Sequence, residues 1–347
     1  MATNFKRRRV LVIAALVLMI GLVLGYANRG TIRNAWDVVT GADYSGAGHG
    51  EVSLVIHEGD SGAEIAQDLV DLGVVKSYRS VYKLLVSRNQ IFYPGTYNLK
   101  LEMSSEAALS AIANPTNRVS NRITIKEGWR IGKVLSELSD KTGIELSELK
   151  SAAGNLKAIG VPLGEVSAEG WLFPATYEFN PGISATKVLI QMVDRMKEEL
   201  EKFGVAEKDA HRVLTLAALI QAEARLEPDF YKVSRVFLNR IQVGMRLQSD
   251  ATVSYGVNGK TVSTSAADRA NPNGYNTYLH DGLPIGPISA PGSVAIDAAI
   301  HPATGKWLYF CAVNLKTGET VFSNTYAEHG IAVAQWRQWM KENPGYE

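Results

Sequence analysis

Glu223 stands near the end of an apolar run. Val213 to Ala224 contains neither Gly nor Pro, and almost no polar residue before Gln221. A run of that kind reads as a buried helix. Leu216, Leu219 and Ile220 lie seven, four and three positions before Glu223 and share its face at helical spacing. The carboxyl is therefore carried out of the core on an apolar stripe. Such surroundings disfavour the charged form, raise a carboxyl pKa and suit a general acid near neutral pH. The alternative is a solvated Glu at a helix end, or one ion-paired with Arg225 or Arg235.

The elements around it are legible in outline. Tyr231 to Val243 is a second helical pattern with Val233, Val236, Phe237, Leu238 and Ile241 on one side. Glu227 and Asp229 fall in the loop before it, as caps or solvated carboxylates. Gly244 to Thr252 reads as a polar connection.

Several stretches resemble the YceG-like family of endolytic murein transglycosylases: AALIQAEA, then KVSRVFLNRI, then GMRLQSDATVSYG. The match continues through Tyr275–Tyr278, Gly282–Ile288 and Phe322–Asn324. Upstream, Glu169–Tyr177 and Tyr93–Tyr97 also resemble it, so the likeness covers roughly residues 50–340 in the family's order. The resemblance implies cleavage between N-acetylmuramic acid and N-acetylglucosamine within peptidoglycan strands. Glu223 would protonate the glycosidic oxygen, then take the proton from the muramoyl C6 hydroxyl as it closes a 1,6-anhydro end. No metal or cofactor is implied, and the six His residues show no paired ligand spacing such as HxxxH.

One departure matters. Many family members carry Glu-Lys-Glu where this chain has Gln221-Ala222-Glu223, so Gln221 removes a rival carboxylate. Asp250 has three open roles: orienting substrate, stabilising oxocarbenium character, or capping a helix. Gln248, Tyr255, Asn276, Tyr278 and Asn324 carry amide or phenol groups suited to sugar hydroxyls and N-acetyl groups, and each is equally suited to tying down its own loop. A muramidase that admits water is the alternative enzyme. A scaffold that binds the cell wall without catalysis is the alternative outside enzymology.

Composition sets bounds on the rest. The 36 basic and 35 acidic residues nearly cancel, without the basic bias of a nucleic-acid binder. The single cysteine, Cys311, makes an intramolecular disulfide impossible and reads as a small buried hydrophobe. Lys6, Arg7, Arg8 and Arg9 precede an uncharged run from Val10 to Ala27. That pattern predicts one membrane-spanning helix, with the N-terminus in the cytoplasm and the remainder outside. A cleavable signal peptide ending near Gly25-Tyr26-Ala27 is the alternative.

The expected fold is α+β. Residues 1–9 form a basic tail, 10–27 the membrane helix and 28–50 a linker. Residues 51–120 form a module in the order strand, helix, helix, strand, which resembles the family's LysM-like module. A YceG-like catalytic domain spans 121–347, opening with a strand at Arg122–Lys126. Helices are expected at Ile131–Thr142, Leu146–Asn155 and Ala185–Phe203, and another capped by Ser293. The aromatics of Glu169–Glu178 read mostly as core. A hairpin over Trp307–Val313 and Glu319–Ser323 and a closing helix over Tyr326–Lys341 complete the pattern. The resemblance also implies peptidoglycan glycan strands, the membrane, peptidoglycan synthases and division or elongation proteins as partners.

Overall fold

The computed structural model describes residues 41–57, 59–88, 92–259 and 264–345. The expected membrane helix at Val10–Ala27 lies outside them. Among the described residues no helix is long and apolar enough to cross a membrane. The chain divides into two compact units, one ending at Ser120 and the other starting at Asn121.

The first unit contains strand β1 (Ala47–Ile56), helices α1 (Gly62–Asp71) and α2 (Tyr78–Arg88), strand β2 (Gly95–Met103), helix α3 (Ser105–Ala113) and the short strand β3 (Arg118–Val119). The strands form one antiparallel sheet in the order β1-β2-β3. Period-two alternation decides which face is buried. Leu54 and Ile56 enter the core beside Tyr97 and Leu99, while Val55 between them is exposed. Ile65, Leu69, Val81 and Leu109 from the three helices close that core. The start of α1 is fixed by a reciprocal capping box between Ser61 and Glu64. The strand begins at Ala47, inside the expected linker.

The second unit runs β4 (Asn121–Thr124), α4 (Ile131–Thr142), α5 (Leu146–Gly154), β5 (Thr176–Phe179), α6 (Ala185–Lys202), α7 (Glu207–Glu223), α8 (Glu227–Gln242), α9 (Asp250–Gly256), α10 (Ala266–Arg269), α11 (Ser293–Ile300), β6 (Tyr309–Asn314), β7 (Glu319–Ser323) and α12 (Tyr326–Glu342). β4 and β5 form one antiparallel ribbon, β6 and β7 another. Helix α7 is the centre. Its residues from Val213 to Ile220 are all buried, and α8, α9 and α11 pack around it. Ala217 and Ala218 on α7, with Ala295, Ala298 and Ala299 on α11, keep the packed side chains small and let helix backbones approach. Each fully buried Leu or Ile in this stripe contributes about 1.5–3 kcal/mol. Trp171, Leu172 and Phe173 are core residues, as expected of that aromatic segment.

Three local expectations are corrected. Glu227 and Asp229 belong to the first turn of α8, where Pro228 occupies a position that needs no N–H donor. Asp229 is buried and pairs with Lys232. Residues from Asp250 onward form α9 instead of continuing a polar connection. Ser293 does not cap α11. The cap is Gly292, and the Ser293 hydroxyl donates 2.5 Å to Glu199 Oε1 on α6. Cys311 is half-buried in β6.

Candidate active site

Glu223 is the last residue of α7. The helix cannot continue far beyond it, because Pro228 lacks an N–H and its ring would clash with the carbonyl of Ala224. The last turn is held in place by Gln221, whose Oε1 accepts from the Gly292 N–H at 3.0 Å. The end of α7 is thereby tied to the start of α11.

Opposite Glu223 lies the segment after α8. Gly244 and Gln248 both adopt left-handed backbone conformations, with φ of 70° and 51°. Such a conformation is strained for Gln and is maintained by its surroundings. The Gln248 N–H donates to the Thr277 carbonyl at 3.1 Å, and the Ser249 N–H donates to Thr277 Oγ1 at 3.0 Å. Thr277 and Thr252 share a further hydroxyl contact of 2.8 Å. Arg240 on α8 clamps the same segment, donating to the Leu247 carbonyl at 2.6 Å and to Leu308 at 2.7 Å.

These elements enclose a cavity of about 300 Å³. Glu223, Arg240, Gln248, Asp250, Phe310 and His329 are among its walls. The Ser249 hydroxyl donates to Glu223 Oε1 at 2.5 Å. The Glu223 side chain is half-buried and its carboxyl is hemmed in by protein. Burial pushes its pKa up, and the neighbouring Asp250 charge adds to that. The Ser249 hydrogen bond and the Arg240 guanidinium oppose it, and the net direction is upward. Arg225 and Arg235 are not its partners: they donate to the backbone carbonyls of Leu315 and Ala303.

Asp250 is already engaged. Its Oδ1 accepts from Thr264 Oγ1 at 2.5 Å and from the Tyr278 hydroxyl at 3.0 Å, and Arg269 lies 3.8 Å away. Burial, with the Asp250 charge next, pushes the Tyr278 phenol up to about 12.

The remaining candidate residues sit elsewhere. Asn276 is fully buried. Its amide donates to the Arg269 and Asn271 carbonyls and its oxygen accepts from the Tyr278 N–H, so it is consumed in holding its loop. Tyr255 is on α9, packed edge-on against Tyr275 at 4.7 Å and under the Arg130 guanidinium. It also hydrogen-bonds Glu169, a carboxyl only 1% exposed whose pKa burial raises to about 7. The Ile131 N–H donates to both Glu169 oxygens at 3.0 Å. Asn324 is exposed just before α12 and does not line the cavity.

Three residues near Glu223 had no individual sequence signal. Ser249 and Arg240 sat inside recognisable motifs without a role of their own. His329 had none. It stacks on Tyr309 with ring centroids 5.2 Å apart, and its Nδ1 is buried with no hydrogen-bond partner among the described residues. Burial, then the Arg240 charge, lowers its pKa, which favours the neutral imidazole. Among the described residues no cluster of three His, Cys, Asp or Glu side chains could hold a metal ion.

The arrangement offers one protonatable carboxyl, a hydroxyl that holds it, and a second carboxylate already bound by neighbours. Known proteins resemble this chain over about four fifths of its length. The model of the YceG-like family matches residues 54–335. A Bacillus subtilis (strain 168) protein named endolytic murein transglycosylase is 31% identical over 310 residues, covering 81% of this chain and 83% of that protein. A protein of the same name from Streptococcus pneumoniae (strain D39) is 26% identical over 325 residues, covering 82% of this chain and 58% of its own length. The crystal structure of a yceG-like protein from Listeria monocytogenes superposes with a TM-score of 0.55 at 26% identity, covering 81% of this chain and 99% of that one. With the match running from the first strand of one unit into the last helix of the other, the chain belongs to the YceG-like family.

Proposed function

We propose that this protein is a lytic transglycosylase that cuts peptidoglycan strands internally, between N-acetylmuramic acid and N-acetylglucosamine. The observation that carries the reading is Glu223: a carboxyl with raised pKa, hemmed in at the end of a buried helix and opening on a cavity. Protonated, it delivers a proton to the glycosidic oxygen as the bond to the anomeric carbon breaks. As a carboxylate it then removes the proton from the muramoyl C6 hydroxyl, whose oxygen bonds to the anomeric carbon and leaves a 1,6-anhydro end. The proton gained by the leaving sugar equals the one lost from C6, so Glu223 is regenerated without water. The names of the Bacillus and Streptococcus relatives support this activity.

Asp250 in the same cavity favours one second reading, a muramidase that uses two carboxylates. Digestion of purified peptidoglycan separates the two, because an anhydro end is lighter by one water than a reducing end. Glu223→Gln beside wild type tests the carrier of the chemistry. A positioned acid or base contributes about a hundred- to ten-thousandfold in rate, and the loss should reach the upper part of that range. Retained activity in Glu223→Gln would remove the assignment.

The same reading includes a single uncleaved span at Val10–Ala27, an extracytoplasmic catalytic unit, and synthases and division or elongation proteins as neighbours. It also treats the first unit as a LysM-like module and the second as the catalytic domain. A reporter fused after Glu347 should be active only outside the cytoplasm. Release of a shortened soluble protein would replace the anchor with a signal peptide.

A further inference from the structure

A second cavity, of about 860 Å³, adjoins the end of α7. Gln221 and Ala222 line it where Glu223 lines the first, and Ala251 lines both. The wall between the two is therefore made partly of alanine side chains. The two cavities thus adjoin at Ala251.

The chemistry of the lining is specific. It carries two cations, Arg130 and Lys133, and no carboxylate. Arg130 is committed: it donates to the Gly259 carbonyl at 2.8 Å and to Ser254 Oγ at 3.2 Å, and stacks over Tyr255. Lys133 is exposed, with its ammonium 4.6 Å from the Trp129 ring centre, and makes no ion pair among the described residues. Ser289, only 4% exposed, also lines the cavity. Its buried Oγ has no hydrogen-bond partner among the described residues. A buried hydroxyl left without a partner loses free energy that a bound ligand can restore. The lining thus presents a held ammonium, a buried hydroxyl without a partner and an aromatic wall, while the Glu127 carboxylate lies beside Gly292, next to Gln221.

We propose that this second cavity is a subsite for the acidic stem peptide borne by the sugar next to the cleaved bond, with Lys133 meeting a peptide carboxylate and Ser289 a peptide amide. This rests on the peptidoglycan reading of Glu223 and adds to it a requirement on the substrate. The subsite makes the enzyme selective for strands that still carry their peptides.

The test uses the full-length protein and two preparations of the same uncrosslinked strands, one intact and one stripped of stem peptides by an amidase. Wild type should cleave the intact strands with the higher kcat/KM. Lys133→Glu should lower kcat/KM on intact strands about tenfold, since a like charge now faces the carboxylate. On stripped strands, whose remaining carboxylate is the lactyl group that the amidase frees on the sugar itself, the loss should be smaller, less than about twofold, because the peptide carboxylate that would face residue 133 is gone. Lys133→Arg should keep most of the preference. Equal loss on both substrates, or no loss on either, would overturn the subsite while leaving Glu223 in place. A wild-type protein that opens neither substrate would overturn the peptidoglycan reading itself.

Discussion

The Ser249 hydroxyl and the Glu223 carboxyl lie 2.5 Å apart, donor to Oε1, across two elements, with Thr277 pinning the Ser249 backbone. The bond opposes the upward push of burial on Glu223. Ser249→Ala should therefore raise the Glu223 pKa further. In the proposed reaction Glu223 must be protonated to act as the acid, so the alkaline limb of the kcat/KM profile should move to higher pH. Unchanged limbs in a pH–rate series would show that this hydroxyl does not tune the acid.

Glu169 gives a stability prediction of definite sign. Its pKa is raised in the folded state, from an ordinary 4.5 to about 7, chiefly by burial. The unfolded chain then binds fewer protons than the folded one between those values, so stability falls as pH rises through this window. The loss should be on the order of 2–3 kcal/mol. Glu169→Gln should flatten that part of the profile in urea titrations at pH 5 and pH 8. A wild-type profile that rises over the same interval would contradict the assignment.

Gln248 is held at φ 51° at the cavity wall. Glycine adopts that conformation without strain, so Gln248→Gly should stabilise the fold by up to about 1 kcal/mol. Activity should fall at the same time, because the amide facing the cavity is lost. Paired thermal melts and glycan digestion check both halves. A lower melting temperature would show that the side chain anchors the turn.

Asn276→Ala should act on stability first. It leaves the Arg269 and Asn271 carbonyls and the Tyr278 N–H without their partner inside the protein. The cost should be on the order of 2–4 kcal/mol by chemical denaturation. Activity should drop only as Tyr278 loses its place beside Asp250. A variant of wild-type stability with no activity would instead make Asn276 a substrate contact.

How much was legible depends on what each residue answers to. The stripe of Leu216, Leu219 and Ile220 is a local periodicity, so α7 and the position of Glu223 at its end could be read directly. Glu227 and Asp229 looked like loop because Pro228 sits between them, yet proline is as well suited to a helix's first turn as to a break. Asn276 and Tyr255 have the same groups a sugar would need. Their burial, which commits those groups to the protein, is set by packing between distant segments. Ser249, Arg240 and His329 become neighbours of Glu223 only through tertiary folding. No spacing in the chain announces it.

The end of α7 has an electrostatic consequence of its own. The carboxyl-terminal end of a helix carries about half a unit of negative charge. Glu223 stands at that end, and Asp250 adds its charge nearby. The Arg240 guanidinium tempers this but donates its hydrogen bonds to backbone carbonyls. The site therefore favours positive charge developing on the sugar ring, as in an oxocarbenium-like transition state. Among ring mimics of equal shape, a protonated iminosugar should bind more tightly than its neutral lactam, and added salt should narrow the difference.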